Sequence, residues 1–149
     1  MVPFFDKDGN LPPGRHSATW DDFLRTFGTS AHRMRLLAGL KQMLQSLKNV
    51  GCSRVFIDGS FVTSKMNPAD YDGCWDATGV DIAKLQQTDP VLLDFGNRRM
   101  RQKLKYGGEM FPADTLESSS GLVFLDFFGR DKDTGNSKGV VEIDLKGLS

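Results

Sequence analysis

Two aspartates one residue apart, Asp70 and Asp72, carry the strongest chemical signal in the chain. On a strand, residues i and i+2 project from the same face, so the pair would aim two carboxylates at one point in space. Like charges held together are unfavourable unless a cation compensates them. Nine residues separate Asp70 from a preceding Gly59-Ser60. Gly59 lets the main chain approach a ligand closely, and Ser60 adds a hydroxyl. A helical turn starting at Phe61 would point its free N–H groups into the same cleft, an end suited to anions. Together these residues predict a phosphate at the Gly-Ser turn and divalent ions at the aspartates. In two-metal sites the ions sit about 3.5–4 Å apart and stabilise the attacking and leaving oxygens of an in-line displacement. Lys65 could neutralise a triphosphate there or simply be solvated. Asp-x-Asp alone is common at surface turns; the Gly-Ser ahead of it is what points to a site.

These groups need elements to deliver them. Arg54-Val55-Phe56-Ile57-Asp58 is rich in β-formers and stops at Gly59-Ser60, which predicts a strand feeding the turn. After a loop holding Pro68, Tyr71-Asp72-Gly73-Cys74-Trp75 reads as a second, shorter strand. Upstream, Thr19 and Asp22 form a capping-box pattern, and Trp20, Phe23, Leu24 and Phe27 follow at helical spacing. Ser30 caps a longer helix with Leu36, Leu37, Leu40, Leu44 and Leu47 on one face, closed by Asn49-Val50-Gly51. Val91 to Tyr106 is predicted helical, with Met100 and Leu104 facing the core and Gly107-Gly108 ending it. Glu109-Met110-Phe111 is a short strand cut off by Pro112. Leu122–Phe128 and Val140–Leu145 are the clearest strands, joined as a hairpin by a long polar loop. Residues 1–18 read as an extended leader with a turn at Asp6–Asn10. This order predicts an α/β or α+β domain whose mixed sheet is covered by helices mainly on one face.

At 149 residues the chain fits one domain, 1–149, with 39% hydrophobic residues for a core. Nineteen basic residues balance nineteen acidic ones, so attraction to nucleic acid or to a membrane surface would need a local patch. No apolar run approaches the roughly 20 residues of a membrane span, and MVPFFDKDGNLPPG lacks the pattern of a signal peptide. Two cysteines without CxxC spacing, Cys52 and Cys74, read as reduced thiols of a cytoplasmic protein. Cys74 in its strand reads as a small buried hydrophobe. His16 and His32 read as local hydrogen-bonders. Arg98, Arg99, Arg101, Lys103 and Lys105 read either as a solvated helix face or as a patch steering phosphates or a partner. The Asp131–Asn136 loop lacks the sixth-position glycine of a calcium loop.

Ile57-Asp58-Gly59-Ser60 with Asp70-Tyr71-Asp72 resembles the motif of the nucleotidyltransferase superfamily, which includes DNA polymerase β and the minimal nucleotidyltransferases. That motif is hydrophobic-Gly-[Gly/Ser], a spacer, then Asp-hydrophobic-Asp/Glu; Asp58 stands where a hydrophobic or small residue is more usual. Over most of the chain, Phe5–Gly14, Gly59–Lys65 and Leu125-Asp126-Phe127-Phe128 look like a family of small bacterial nucleotidyltransferase-like proteins.

The resemblance implies a minimal nucleotidyltransferase fold with an N-terminal helical extension. It also implies Mg2+-dependent (or Mn2+-dependent) transfer of a nucleoside monophosphate from an NTP to a protein or nucleic-acid acceptor. Asp70, Asp72 and a third carboxylate on a later strand would hold metal. Glu109 occupies that third place in chain order, although Asp is usual there. Asp126, an acid between Phe124 and Phe128 on its strand face, is the rival. Gly59 and Ser60 would hold the β/γ-phosphates, with Lys65 beside them. Minimal nucleotidyltransferases often stand in toxin–antitoxin pairs, so a non-catalytic binding module, such as the antitoxin-like half, is the alternative; a nucleotide-sensing pseudoenzyme is a third. The sequence shows no further helical domain after the last strand to grip base and acceptor. A protein partner is therefore expected to supply the acceptor or to be it.

Overall fold

The computed structural model describes residues 2–114 and 139–148. The protein is α+β, with five strands among the described residues in one mixed sheet and α1 and α2 packed on one face of it, as the element pattern predicts. In chain order the elements are β1 (Gly14–Ala18), α1 (Trp20–Phe27), α2 (Ala31–Asn49), β2 (Arg54–Asp58), β3 (Tyr71–Trp75), α3 (Ile82–Thr88), α4 (Met100–Tyr106), β4 (Gly108–Pro112) and β5 (Gly139–Asp144). The strands lie in the order β1-β5-β2-β3-β4. β2 runs antiparallel to β3 and β5, whereas β1 pairs parallel with β5 and β3 parallel with β4.

Strand alternation decides which residues meet the helices. Val55, Ile57, Tyr71, Trp75, Met110, Val141 and Ile143 are buried with α1 and α2, against Trp20, Phe23, Phe27, Leu37, Leu40, Leu44 and Leu47. Each fully buried aliphatic or aromatic chain contributes about 1.5–3 kcal/mol, which makes this face the main source of stability. The alternate residues Phe56, Cys74 and Val140 form a smaller buried cluster with Ala113 on the opposite face. Both predicted caps form. Thr19 Oγ1 accepts from Asp22 N at 3.1 Å while Asp22 Oδ2 accepts from Thr19 N at 3.5 Å, and Ser30 Oγ accepts from Arg33 N at 3.1 Å.

The structure departs from the sequence reading in several places. The end of the leader is not merely extended but is strand β1, paired with β5 from Gly14↔Gly139 to Ala18↔Ile143. Helix α3, capped by Asp81 through Lys84 N at 3.0 Å, is too short to give a periodic signal and was not expected. The helix expected over Val91–Tyr106 is broken. A 3-10 turn at Pro90–Leu93 and another at Asn97–Arg99 precede α4, which is α-helical only from Met100. Asp94 Oδ1 accepts from Gly96 N at 3.1 Å, a local bond that competes with helical pairing, and the chain then turns left-handed through Asn97, Arg98 and Arg99.

That break rotates α4. Met100 and Leu104, expected in the core, are exposed (49% and 80%), while Gln102 and Tyr106 are buried. Gln102 Oε1 accepts from Met110 N at 2.9 Å and its Nε2 donates to Asp94 O at 3.4 Å, which joins α4 to β4. Tyr106 Oη donates to the buried Asp89, whose other oxygen accepts from Lys105 Nζ at 3.1 Å. Burial and then the Asp89 bond push the Tyr106 phenol up. Its carbonyl accepts from Tyr71 Oη at 2.9 Å and lies so close to α2 that a Cβ on Gly39 would stand 2.0 Å from it. The expected hairpin between Leu122–Phe128 and Val140–Leu145 has its first strand outside the described residues.

If α4 is oriented as described, Leu104→Ser should change unfolding free energy by no more than about 0.5 kcal/mol. Gln102→Leu, a polar-to-apolar change inside the protein, should cost about 1–3 kcal/mol because it strands the Met110 N–H. Urea titrations of the two variants read this inversion directly.

Candidate functional site

β2 ends at Asp58 and the chain enters a 3-10 turn over Gly59–Val62, driven down into the core by the buried Phe61 and Val62. Gly59 has φ +80°, a conformation that favours glycine. A Cβ there would also lie 2.7 Å from Asp72 Oδ2. The glycine is therefore required twice, once for its backbone and once for the seat of the Asp72 carboxylate against its Cα. Ser60 remains partly exposed at the turn, and its carbonyl accepts from Thr63 Oγ1 at 2.6 Å.

The sheet register sets the carboxylates. Asp58 pairs with Asp72 and Asp72 with Glu109, so the three stand in one lateral row across β2, β3 and β4. Registered neighbours lie about 4.8 Å apart and share a face. Here it is the face away from α1 and α2, shared with Phe56, Cys74 and Phe111. Asp70 precedes β3, which begins at Tyr71, so it stands at the mouth of the strand while Asp72 lies within it.

Glu109 is buried and already compensated. Arg99 Nε donates to its Oε2 at 2.8 Å, and Lys103 Nζ lies 3.6 Å from the same oxygen. The rest of the basic segment is paired too, Arg101 with Asp94 at 3.4 Å and Lys105 with Asp89 at 3.1 Å, leaving Arg98 exposed. Arg98, Arg101, Lys103 and Lys105 are exposed, in keeping with a solvated face, although Arg101, Lys103 and Lys105 each meet a carboxylate, and Arg99 is half-buried. Asp126 lies outside the described residues.

The loop from Gly59 to Asp70 is fixed from α2. The Arg33 guanidinium is buried and donates to four main-chain carbonyls: Phe61 at 2.7 Å, Thr63 at 2.9 Å, Lys65 at 2.6 and 3.2 Å, and Phe27 at 3.4 Å. It also lies 4.8 Å from the centre of the Phe61 ring. Burial pulls its pKa down. His32 Nε2 bonds Pro68 O at 2.5 Å, a contact across 36 residues rather than a local one, while His16 bonds Pro12 O at 2.7 Å. From the other side the leader turn docks through Ser64 N, which donates to Gly9 O at 2.9 Å. The Lys65 side chain is exposed.

Among the described residues no group of three or more His, Cys, Asp or Glu is gathered so as to hold a metal ion. Asp72 stands at the Gly59 seat and Asp70 just ahead of the same strand. Mg2+ is commonly held by one or two carboxylates together with substrate phosphates and water, so residues of this type suit it. Both cysteines are buried, and burial pushes the Cys52 thiol up to about 11, which leaves it unreactive near neutral pH. A pocket of about 360 Å3 lies beyond the β4 edge, lined by Pro90, Val91, Asp94, Phe95 and Arg101 among others, and contains none of these carboxylates.

Three contributors were not expected from the sequence. Asp58 had a signal, since Phe56 and Asp58 share a strand face that Val55 and Ile57 do not. Arg33 had one as well, because it continues the apolar stripe of Leu37, Leu40, Leu44 and Leu47. Arg99 was marked only as a member of the basic cluster, and nothing local pointed to its pairing with Glu109, which follows a left-handed turn.

The chain belongs to the family described as "Family of unknown function (DUF6932)", whose match covers residues 3–144. No curated protein and no solved structure matches it.

Arg33→Met should cost at least about 3 kcal/mol, because it leaves several buried carbonyls without donors. Gly59→Ala should cost about 1–3 kcal/mol through backbone strain alone, with the contact to Asp72 in addition. Chemical denaturation of each variant checks both, and an Arg33→Met protein as stable as the parent would show that the loop holds itself.

Proposed function

We propose that this protein is a metal-dependent nucleotidyltransferase that moves a nucleoside monophosphate from an NTP to a protein or nucleic-acid acceptor. The observation that carries the reading is the seat of the Asp72 carboxylate against Gly59, at the point where β2 gives way to a Gly-Ser turn. A turn that needs glycine, lies beside a carboxylate and exposes a serine suits a phosphate chain bridged to a divalent ion. Asp70 and Asp72 would hold that ion, Mg2+ or Mn2+, whose chemistry is to neutralise charge on the transferring phosphoryl group and to activate the attacking hydroxyl. Gly59 and Ser60 would bind the β/γ-phosphates, with the Lys65 ammonium within the same loop. Arg33 and His32 keep that loop from collapsing when the ligand leaves. One of the aspartates would also accept the acceptor's proton. No helix among the described residues is long and apolar enough to cross a membrane. We assign the protein to the reducing cytoplasm, where its buried thiols would persist.

A second reading has its own support. The Arg99 and Lys103 pairing of Glu109 engages one of the two candidates for the third carboxylate, which supports a non-catalytic module such as the antitoxin-like half of a toxin–antitoxin pair. A protein partner is expected under either reading.

Asp72→Asn distinguishes them. The variant should fold within about 0.5 kcal/mol of the parent. It should lose transfer of label from α-32P-NTP, with Mg2+ or Mn2+, onto host protein or RNA by several orders of magnitude. If the parent transfers no label from any of the four NTPs, and Asp72→Asn binds a co-purifying partner as well as the parent does, the protein is a binding module.

A further inference from the structure

We propose that Arg99 and Lys103 form a grip for the phosphate chain of a nucleoside triphosphate, parked on Glu109 until that chain arrives. The inference rests on the function proposed above and names two further binding residues for it. Three features of the molecule lead to it.

Glu109 is the register neighbour of Asp72, so cations resting on Glu109 stand beside the Gly59–Asp72 seat. Arg99 and Lys103 both address one oxygen, Glu109 Oε2, and both remain partly open to solvent, with side-chain exposures of 31% and 40%. A polyanion at this end of the carboxylate row therefore finds two cations open to it. Finally, Arg99 is presented by strained backbone. Asn97, Arg98 and Arg99 have φ of 49°, 56° and 60°, a run of left-handed residues none of which is glycine. Left-handed turns of this kind are unfavourable for L-residues and occur at positions held by their surroundings. Here the surroundings are the Glu109 ion pair, the Phe111 ring 5.2 Å from the guanidinium, and Arg99 N donating to Gly96 O at 2.9 Å. When a phosphate competes for the guanidinium, release of Glu109 also lets this turn relax. Arginine is suited to the exchange because its planar fork matches a phosphate as well as a carboxylate.

The proposal predicts coupling between Arg99 and Glu109 in anion binding. The probe is inorganic tripolyphosphate, titrated calorimetrically into the full chain in chelator-treated buffer, so that neither metal nor turnover enters. Arg99→Gln should weaken binding by about tenfold, the usual scale for losing one charged hydrogen bond. Glu109→Gln should tighten it by freeing the grip. In the Arg99→Gln background the gain from Glu109→Gln should shrink markedly, whereas simple loss of a repelling charge would give the same gain in both backgrounds. Should Arg99→Gln fail to fold by circular dichroism, the same cycle run with Lys103→Gln decides the matter. An undiminished gain from Glu109→Gln, or a parent that does not bind tripolyphosphate, overturns the grip. The two proposals fail separately. Coupling without label transfer leaves the grip standing and removes the enzyme, while label transfer without coupling does the reverse.

Discussion

Taking the head group of Arg33 out of water is costly, and this protein tolerates it because four main-chain carbonyls converge on the guanidinium. The exchange works in both directions. The carbonyls of Phe61, Thr63 and Lys65 belong to a connection without strand pairing of its own, and main-chain oxygens turned inward need donors. A planar fork with several N–H groups meets this need from one side chain, which a lysine could not do. With the connection held, Phe61 sits in the aromatic cluster of Phe23, Phe27 and Tyr71, and Gly59 is left at the sheet end against Asp72. The candidate site is thus positioned by a helix that contributes no residue to it.

The carboxylate row shows how the protein manages like charges in register. Asp58, Asp72 and Glu109 fall side by side because adjacent strands bring them level. Glu109 is neutralised from α4 and from the turn before it, and Asp72 is seated at the glycine. An extended pair, Arg54 with Asp76 at 2.9 Å and with Glu142 at 3.1 Å, balances charge toward the other end of β2. There the Asp76 carboxyl is held below its usual range, by its bond from the Thr78 N–H and then by the neighbouring guanidinium.

Where local chemistry decides structure, the sequence was readable. The caps at Thr19 and Ser30, the strands 54–58 and 71–75, and the glycine turn between them each follow from residues within a few positions of one another. The mixed sheet with helices on one face followed from their order. What could not be read depended on partners far along the chain. β1 looks like a leader because its pairing with the distant β5 makes it a strand. The stretch from Val91 to Tyr106 has the composition of one helix, and the local Asp94 bond together with the attraction of Arg99 to Glu109 breaks it. Once broken, the helical spacing that had placed Met100 and Leu104 inward no longer applied. At the site, the Gly-Ser turn and its aspartates were visible in sequence, whereas the cations on Glu109 were not.

The pairing of β1 with β5 also bears on how the chain is made. Among the described residues, 14–18 pair with 139–143, and β5, which lies between β1 and β2, is the last of the described strands to leave the ribosome. Until it does, α1, α2, β2 and β3 can assemble, but β1 and one edge of β2 lack the neighbour described for them. Closing a loop of that span adds little to the equilibrium cost, because the entropy grows only with the logarithm of its length. The rate is affected more, since distant contacts must form before they stabilise anything. During synthesis the growing polypeptide therefore carries an open β2 edge, the kind of surface that chaperones cover and that neighbouring nascent chains can join.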